Sequence, residues 1–178
     1  MSLDGYSPWN LLNAALFQGA WFGLVLGAAE GNLLFGWLGV GALLVFAALR
    51  DDIARDLRLL MLLPPLGWCL DSLWALTGIL DFGTTLAPYW IALLWASVAL
   101  TLRHSMSLFS ARPRLGALLA ACSAPLCYLG GQRLGAVTVP EPLLLAWIAL
   151  AWCALFAVLF HSSIVRGDDA QLPAAAPG

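Results

Sequence analysis

The sequence predicts an all-α integral membrane protein, a compact bundle of six transmembrane helices with N- and C-termini in the cytoplasm. Composition, the spacing of apolar runs and the placement of arginines predict it. Of 178 residues, 62% are hydrophobic and only 10% are charged, against about 25% charged in a soluble domain; mean hydropathy is +0.88. A bilayer core about 30 Å thick needs about 20 apolar residues per helix. Six stretches meet or approach that length: Trp9 to Ala29, Leu33 to Leu49, Leu57 to Leu80, Pro88 to Leu108, Leu115 to Val137 and Pro142 to Phe160. The second is the shortest. Five spans would follow if it were re-entrant, but Arg50 to Arg58 and Arg112 to Arg114 would then fall on opposite sides.

The chain has no lysine, so its fixed positive charges are eight arginines. Arg50, Arg55 and Arg58 separate the second and third stretches, Arg103, Arg112 and Arg114 flank the break after the fourth, and Arg166 follows the sixth. The opposite ends carry Glu30, Asp81 and Glu141 with only Arg133. Because cytoplasmic loops collect arginine, this bias puts both termini in the cytoplasm. Residues 1–8 then form an N-terminal cytoplasmic segment, 9–160 the six-helix domain, and 161–178 a cytoplasmic tail whose charge, proline and alanine predict disorder. "MSLDGYSPWN" has an acid and no basic n-region, so it does not predict a cleaved signal peptide.

Several function classes fall away. A net charge of −2 offers no basic surface for nucleic acid. Cys69, Cys122, Cys127 and Cys153 sit inside apolar runs without metal or redox spacing. HExxH, GxSxG and phosphate-binding glycine motifs are missing, and two histidines cannot build a di-iron site. No metal is predicted, and no cofactor has a signature.

The polar residues within the apolar runs carry what chemistry there is. In the third stretch, helical periodicity places Pro64, Gly67, Trp68, Asp71, Trp74, Ala75 and Gly78 on one side, and Leu66, Leu70, Leu73 and Leu80 on the other. The leucine side suits lipid, so Asp71 is expected to face the bundle interior near mid-membrane. A carboxylate there costs roughly 3 kcal/mol. No arginine shares its depth, which leaves a protonated acid bonded to Asn, Gln, Tyr or Trp. Asn10, Asn13, Phe17, Gln18 and Trp21 share an arc of the first stretch. Trp90, Leu94, Ser97, Thr101, His104 and Ser105 form a stripe on the fourth, and Tyr128, Gln132 and Gly135 align on the fifth, where Gly131 and Gly135 permit close helix approach. If these stripes converge they enclose a cavity centred on Asp71, the candidate catalytic residue, with Asn13, Gln18, Trp21, Trp68, Trp90, Ser105, Tyr128 and Gln132 as ligand-binding candidates. Each has a plain structural counterpart: amides bonding a neighbouring helix, hydroxyls bonding their own helix, tryptophans in an interfacial belt.

"NAALFQGAWFGLVLG", "LGWCLDSLWALTG", "PYWIALLWASVALTLRHSMSLF" and "SAPLCYLGGQRLGA" together resemble the bacterial membrane family catalogued as domain of unknown function 2878, over about residues 10 to 160. The shared pattern includes Asn13, Gln18, Trp21, Asp71, Trp90, Trp95, Ser105, Pro125, Tyr128 and Gly135. The resemblance implies a multi-pass protein of the bacterial inner membrane and brings no activity with it. It does imply a genomic setting beside lipid-modifying enzymes. Three functions therefore compete. One is binding or helping to modify membrane lipid acyl chains, with membrane lipids, a lipid-modifying enzyme or a second copy of the chain as partners. Another is a proton-coupled or facilitative small-solute transporter. The last is a structural assembly partner.

Overall fold

A computed structural model of the chain describes residues 7–50, 53–162 and 165. Most of the N-terminal segment, most of the 161–178 tail and Arg166 lie outside the described residues. Each predicted stretch overlaps one α-helix: α1 Pro8–Glu30, α2 Leu34–Ala48, α3 Ile53–Leu76, α4 Tyr89–Leu102, α5 Pro113–Arg133 and α6 Leu145–His161. Single 3₁₀ turns at Ser107–Ala111 and Pro142–Leu144 lead into α5 and α6. No β-strand occurs among the described residues; one antiparallel bridge pairs Asp81 with Thr138.

Four of these segments are long and apolar enough to cross a membrane: α1, α3, α5 and Pro142–His161, which joins α6 to its leading turn. The remaining two are shorter, with 15 residues in α2 and 14 in α4. At 1.5 Å per residue they measure about 22 Å each. The outer surface is apolar: Phe35 is 71% exposed, Met61 72% and Leu126 67%.

Helices pack chiefly as sequential pairs, α1 with α2, α3 with α4, and α5 with α6, while α4 also packs against α1 and α2. Small residues set the α1–α2 spacing. A Cβ added to Gly39 would lie 2.5 Å from the Ala20 backbone, and one on Gly23 would lie 2.8 Å from that of Phe35. Close backbone approach of this kind replaces the hydrophobic drive that helices lack in lipid.

The fourth helix ends at Leu102, six residues earlier than the apolar run predicts. Side chains from two other helices take hold of the chain there. Asn13 on α1, wholly buried, donates from Nδ2 to Leu100 O (3.1 Å), and its Oδ1 accepts from Ser105 N (3.2 Å) and Ser105 Oγ (2.7 Å). Asp56 on α3 pairs with Arg103 (3.4 Å) and with His104 Nε2 (3.1 Å), and the His104 ring meets Phe46 of α2 edge-on. Thr101 O accepts from Met106 N (2.9 Å), which turns the backbone out of the helix. Ser105 and His104 consequently belong to this turn and not to the α4 stripe.

The opposite end is closed by loops. Asp81 and Thr138 exchange backbone hydrogen bonds of 2.9 and 2.7 Å, joining the α3–α4 loop to the α5–α6 loop. Trp68 Nε1 donates to Ala87 O (2.6 Å) and Ser72 Oγ accepts from Ala87 N (3.2 Å), so two side chains one turn apart on α3 hold the start of α4. Leu80, expected on the lipid side, is 1% exposed. The helix ends at Leu76, Gly78 takes a positive φ of 73°, and Leu80 turns inward with Ile79. Loops with arginine thus gather at one end, and those with Asp81 and Glu141 at the other.

Breaking the buried Asp56 cluster takes a buried ion-pair partner from Arg103 and the hydrogen-bond partner of His104 Nε2, which costs about 3 kcal/mol. Asp56→Ala should therefore lower unfolding stability in mixed micelles by that amount. Asn13→Ala, which strips partners from the Ser105 amide and the Leu100 carbonyl, should lower it by about 2 kcal/mol. Equilibrium unfolding measures both, and wild-type stability in the Asp56 variant would contradict the first.

Candidate functional site

Asp71 lies five residues before the end of α3, in the half of the helix that leads to the bridged loops. It is 1% exposed. Trp95 Nε1 on α4 donates to its Oδ2 (2.7 Å), and Tyr128 Oη on α5 donates to its Oδ1. One carboxyl therefore joins three helices through two neutral donors. Tyr128 also lies five residues before the end of its helix, so the contact forms at one level of the bundle.

Trp95 reaches Asp71 because Gly67 makes way for it. A Cβ on Gly67, one turn before Asp71, would lie 2.0 Å from the Trp95 ring. The indole then packs on Trp152 of α6, with ring centroids 5.2 Å apart. From Trp152 a row of rings follows the four-residue spacing of α6: Phe156 stacks at 5.5 Å and Phe160 follows at 5.7 Å. Phe109, from the turn before α5, closes on Phe160 at 5.8 Å.

These rings wall a cavity of about 390 Å³ between the α1–α4 unit and the α5–α6 pair. From α1 it is lined by Phe17, Gln18, Trp21 and Val25; from α4 by Trp90, Ile91, Leu94, Trp95 and Val98. Phe82 and Val137 cap it near the bridged loops, and Met106 and Phe109 at the arginine end. The lining side chains that are exposed are Gln18 on α1 and Leu119 and Ser123 on α5. The cavity therefore opens sideways, between α1 and α5, at the level of the apolar belt. Among the described residues Asp71 is the only carboxylate in the lining, toward one end, and no arginine or histidine lines it.

The sequence candidates divide into two groups. Gln18, Trp21, Trp90, Asp71 and Tyr128 meet at the cavity. Asn13 and Ser105 are bonded to each other at the arginine end, and Trp68 is spent on the Ala87 carbonyl. Gln132 is exposed, with its Oε1 accepting from Val139 N at 2.6 Å, and so shapes the α5–α6 loop. The sequence reading left out Trp95 as a partner of Asp71 and the whole α6 wall. The signal for that wall was present: Trp152, Phe156 and Phe160 recur every four residues, the spacing of one helix face. Asp56 was missed as well, because it sits among arginines in a stretch that reads as interface. Among the described residues no group of His, Cys, Asp and Glu side chains could hold a metal ion.

These features define a membrane-type helical bundle with a side-opening, aromatic-walled cavity and a buried acid at one end of it. The chain belongs to the family described as "Protein of unknown function (DUF2878)", whose model matches residues 10–158. No curated protein and no solved structure matches it.

The fit of Trp95 beside Gly67 gives a matched pair of substitutions. Gly67→Ala forces the indole to move and should cost about 2 kcal/mol, the scale of overpacking, together with a shifted tryptophan emission. Gly130→Ala adds a methyl 3.5 Å from Trp21, an ordinary contact, and should leave both unchanged. Thermal unfolding and fluorescence read the difference.

Proposed function

We propose that the protein is a six-span protein of the bacterial inner membrane that takes a lipid acyl chain or similar amphiphile into the cavity and supports its modification. The observation that carries this is the arrangement of polarity along the cavity. Its carboxyl lies near one end, and the α6 rings continue from there over eight residues, about 12 Å. A polar group held at Asp71 would leave an apolar tail lying on Trp152, Phe156 and Phe160. The mouth suits an amphiphile too, because it opens between two long apolar helices. Burial of 70–90% of a ligand in an apolar pocket with a few polar groups is the usual form of small-molecule sites. In this reading Asp71 holds or exchanges a proton at the head of the ligand, Tyr128 and Trp95 position the carboxyl, and Gln18 contacts the ligand at the mouth. A membrane-bound lipid-modifying enzyme or a second copy of the chain would be the partner.

The topology that goes with it has both termini in the cytoplasm, supported by the gathering of arginine loops at one end of the bundle. The short α2 and α4 would then cross a locally thinned bilayer or lie mostly within protein, as the burial of α4 from Trp95 to Leu102 suits.

A second reading, a proton-coupled small-solute carrier, is favoured by the Asp71–Tyr128 contact alone. A phenol can either donate or accept, so the carboxyl could gain a proton on Oδ1 without losing this partner. Under that reading Asp71→Asn abolishes proton-linked flux in proteoliposomes. The amphiphile reading predicts no flux to abolish.

Purified wild-type protein should carry acyl lipid through detergent exchange, detected by mass spectrometry of its organic extract. Ser123→Trp, at the exposed mouth, should reduce that lipid at least five-fold while leaving the melting temperature unaltered. Equal lipid in the two proteins would count against the cavity as its site.

A further inference from the structure

Resting on that reading of the cavity, we infer that its ligand carries a positive charge: the site takes a lipophilic monocation, an ammonium or comparable onium group on an apolar body. The charge pattern comes first. Both Asp71 oxygens face neutral donors, an indole N–H and a phenol O–H, and neither can balance a carboxylate. Among the described residues no arginine or histidine lines the cavity, and the chain has no lysine to bring. Arg103 and His104, which precede the lining residue Met106, are engaged with Asp56. A ligand with an anionic head would meet only the acid, whereas a cation would supply the counter-charge that the protein withholds. Each carboxylate oxygen has a second lone pair open for this after the Trp95 and Tyr128 bonds are made.

The walls agree with the charge. A cation is attracted to the face of an aromatic ring, most strongly to tryptophan. Trp21, Trp90, Trp95 and Trp152 all line the cavity. Trp95 adds directionality, since its N–H is fixed on Asp71, and its ring is thereby held beside the carboxyl. An acyl chain alone would need neither the acid nor so many indoles, because leucine lines an apolar pocket as well and the chain is rich in leucine. A bare metal ion is a poor fit because the lining offers one carboxylate and few other oxygens. A soft organic cation with an apolar body matches both the single acid and the aromatic wall. The cation could be the amine of a lipid headgroup or a free lipophilic amine; the recognising chemistry is the same.

The test compares ligands of one shape and different charge on the full chain in nanodiscs. Benzyltrimethylammonium, its uncharged carbon isostere neopentylbenzene and anionic phenylacetate are titrated by quenching of tryptophan fluorescence. The wild type should bind the cation at least ten-fold more tightly than the isostere and should not bind the anion. Asp71→Asn keeps the size of the side chain and should bring cation and isostere within two-fold. If that variant does not fold, the wild-type comparison decides by itself. An isostere that binds as tightly as the cation, or a preference that survives in a folded Asp71→Asn, overturns the inference while leaving an apolar occupant in place. Binding of neither, with no lipid in the extract, overturns the inference and the amphiphile reading together. Mass spectrometry of that extract separates the sources: an amine-bearing lipid or a free amine supports the inference, and acyl lipids without a cationic group oppose it.

Discussion

The Asp71 carboxyl is the polar joint on which the bundle's two parts depend. Lipid gives helices no hydrophobic reason to associate, so van der Waals fit and hydrogen bonds must hold them. The first four helices have both, through the glycine-lined α1–α2 contact, the Gly67–Trp95 fit and the Asn13 and Asp56 clusters. The α5–α6 pair packs closely within itself and meets the other four at few points. Those points include the Asp81–Thr138 bridge, the apolar cluster of Trp74, Ile79 and Leu80 with Ala124, Leu145 and Ile148, the Phe109–Phe160 contact below, and Tyr128 and Trp152 around Asp71 and Trp95. Of these, the Asp71 contact alone pairs an acid with side-chain donors from both parts.

The cavity follows from that arrangement. Two units tied at their ends and at one level near the bridged loops need not close along the whole seam between them. The side chains facing the seam are large rings, which cannot interdigitate as aliphatic side chains do and so keep their spacing. Gly131 and Ala120 on α5 leave room opposite those rings, and Gln18 and Ser123 remain at the open edge. The same tie that joins the units therefore preserves the space between them.

Much of this was legible in the sequence, and the limits were physical. Apolar run length located all six helices, most of them to within a few residues, because each run ends at polar, proline or glycine residues. It failed at α4, where the end is imposed from outside by Asn13 and Asp56, whose side chains capture the following turn. Periodicity put Asp71 on the interior face, and it aligned Tyr128 on α5. Periodicity names a face and not a partner, however, so Asn13, Ser105, Trp68 and Gln132 read as lining residues although each is bonded elsewhere. The α6 wall shows the same limit: Trp152, Phe156 and Phe160 recur on one helix face, but such a row looks the same whether it faces lipid or a cavity. A cue existed in Gly67, since a glycine one turn from a buried acid suggests that something bulky passes there.

The distribution of buried charge separates support from function. Asp56 and Asp71 lie on one helix fifteen residues apart and are equally buried, yet their surroundings differ in sign. Asp56 has its counter-charge in place, from Arg103, with His104 Nε2 hydrogen-bonded beside it, at the end where arginines gather. That is how a buried acid is stabilised when its only task is to fix a turn. Asp71 has neutral donors on both oxygens and an open cavity alongside. Had its role been solely to join α3, α4 and α5, an amide could accept the same indole hydrogen bond without the cost of an ionisable group in lipid. A carboxyl that is gripped, desolvated and left without a counter-charge is the form expected where the missing charge arrives with a ligand or a proton.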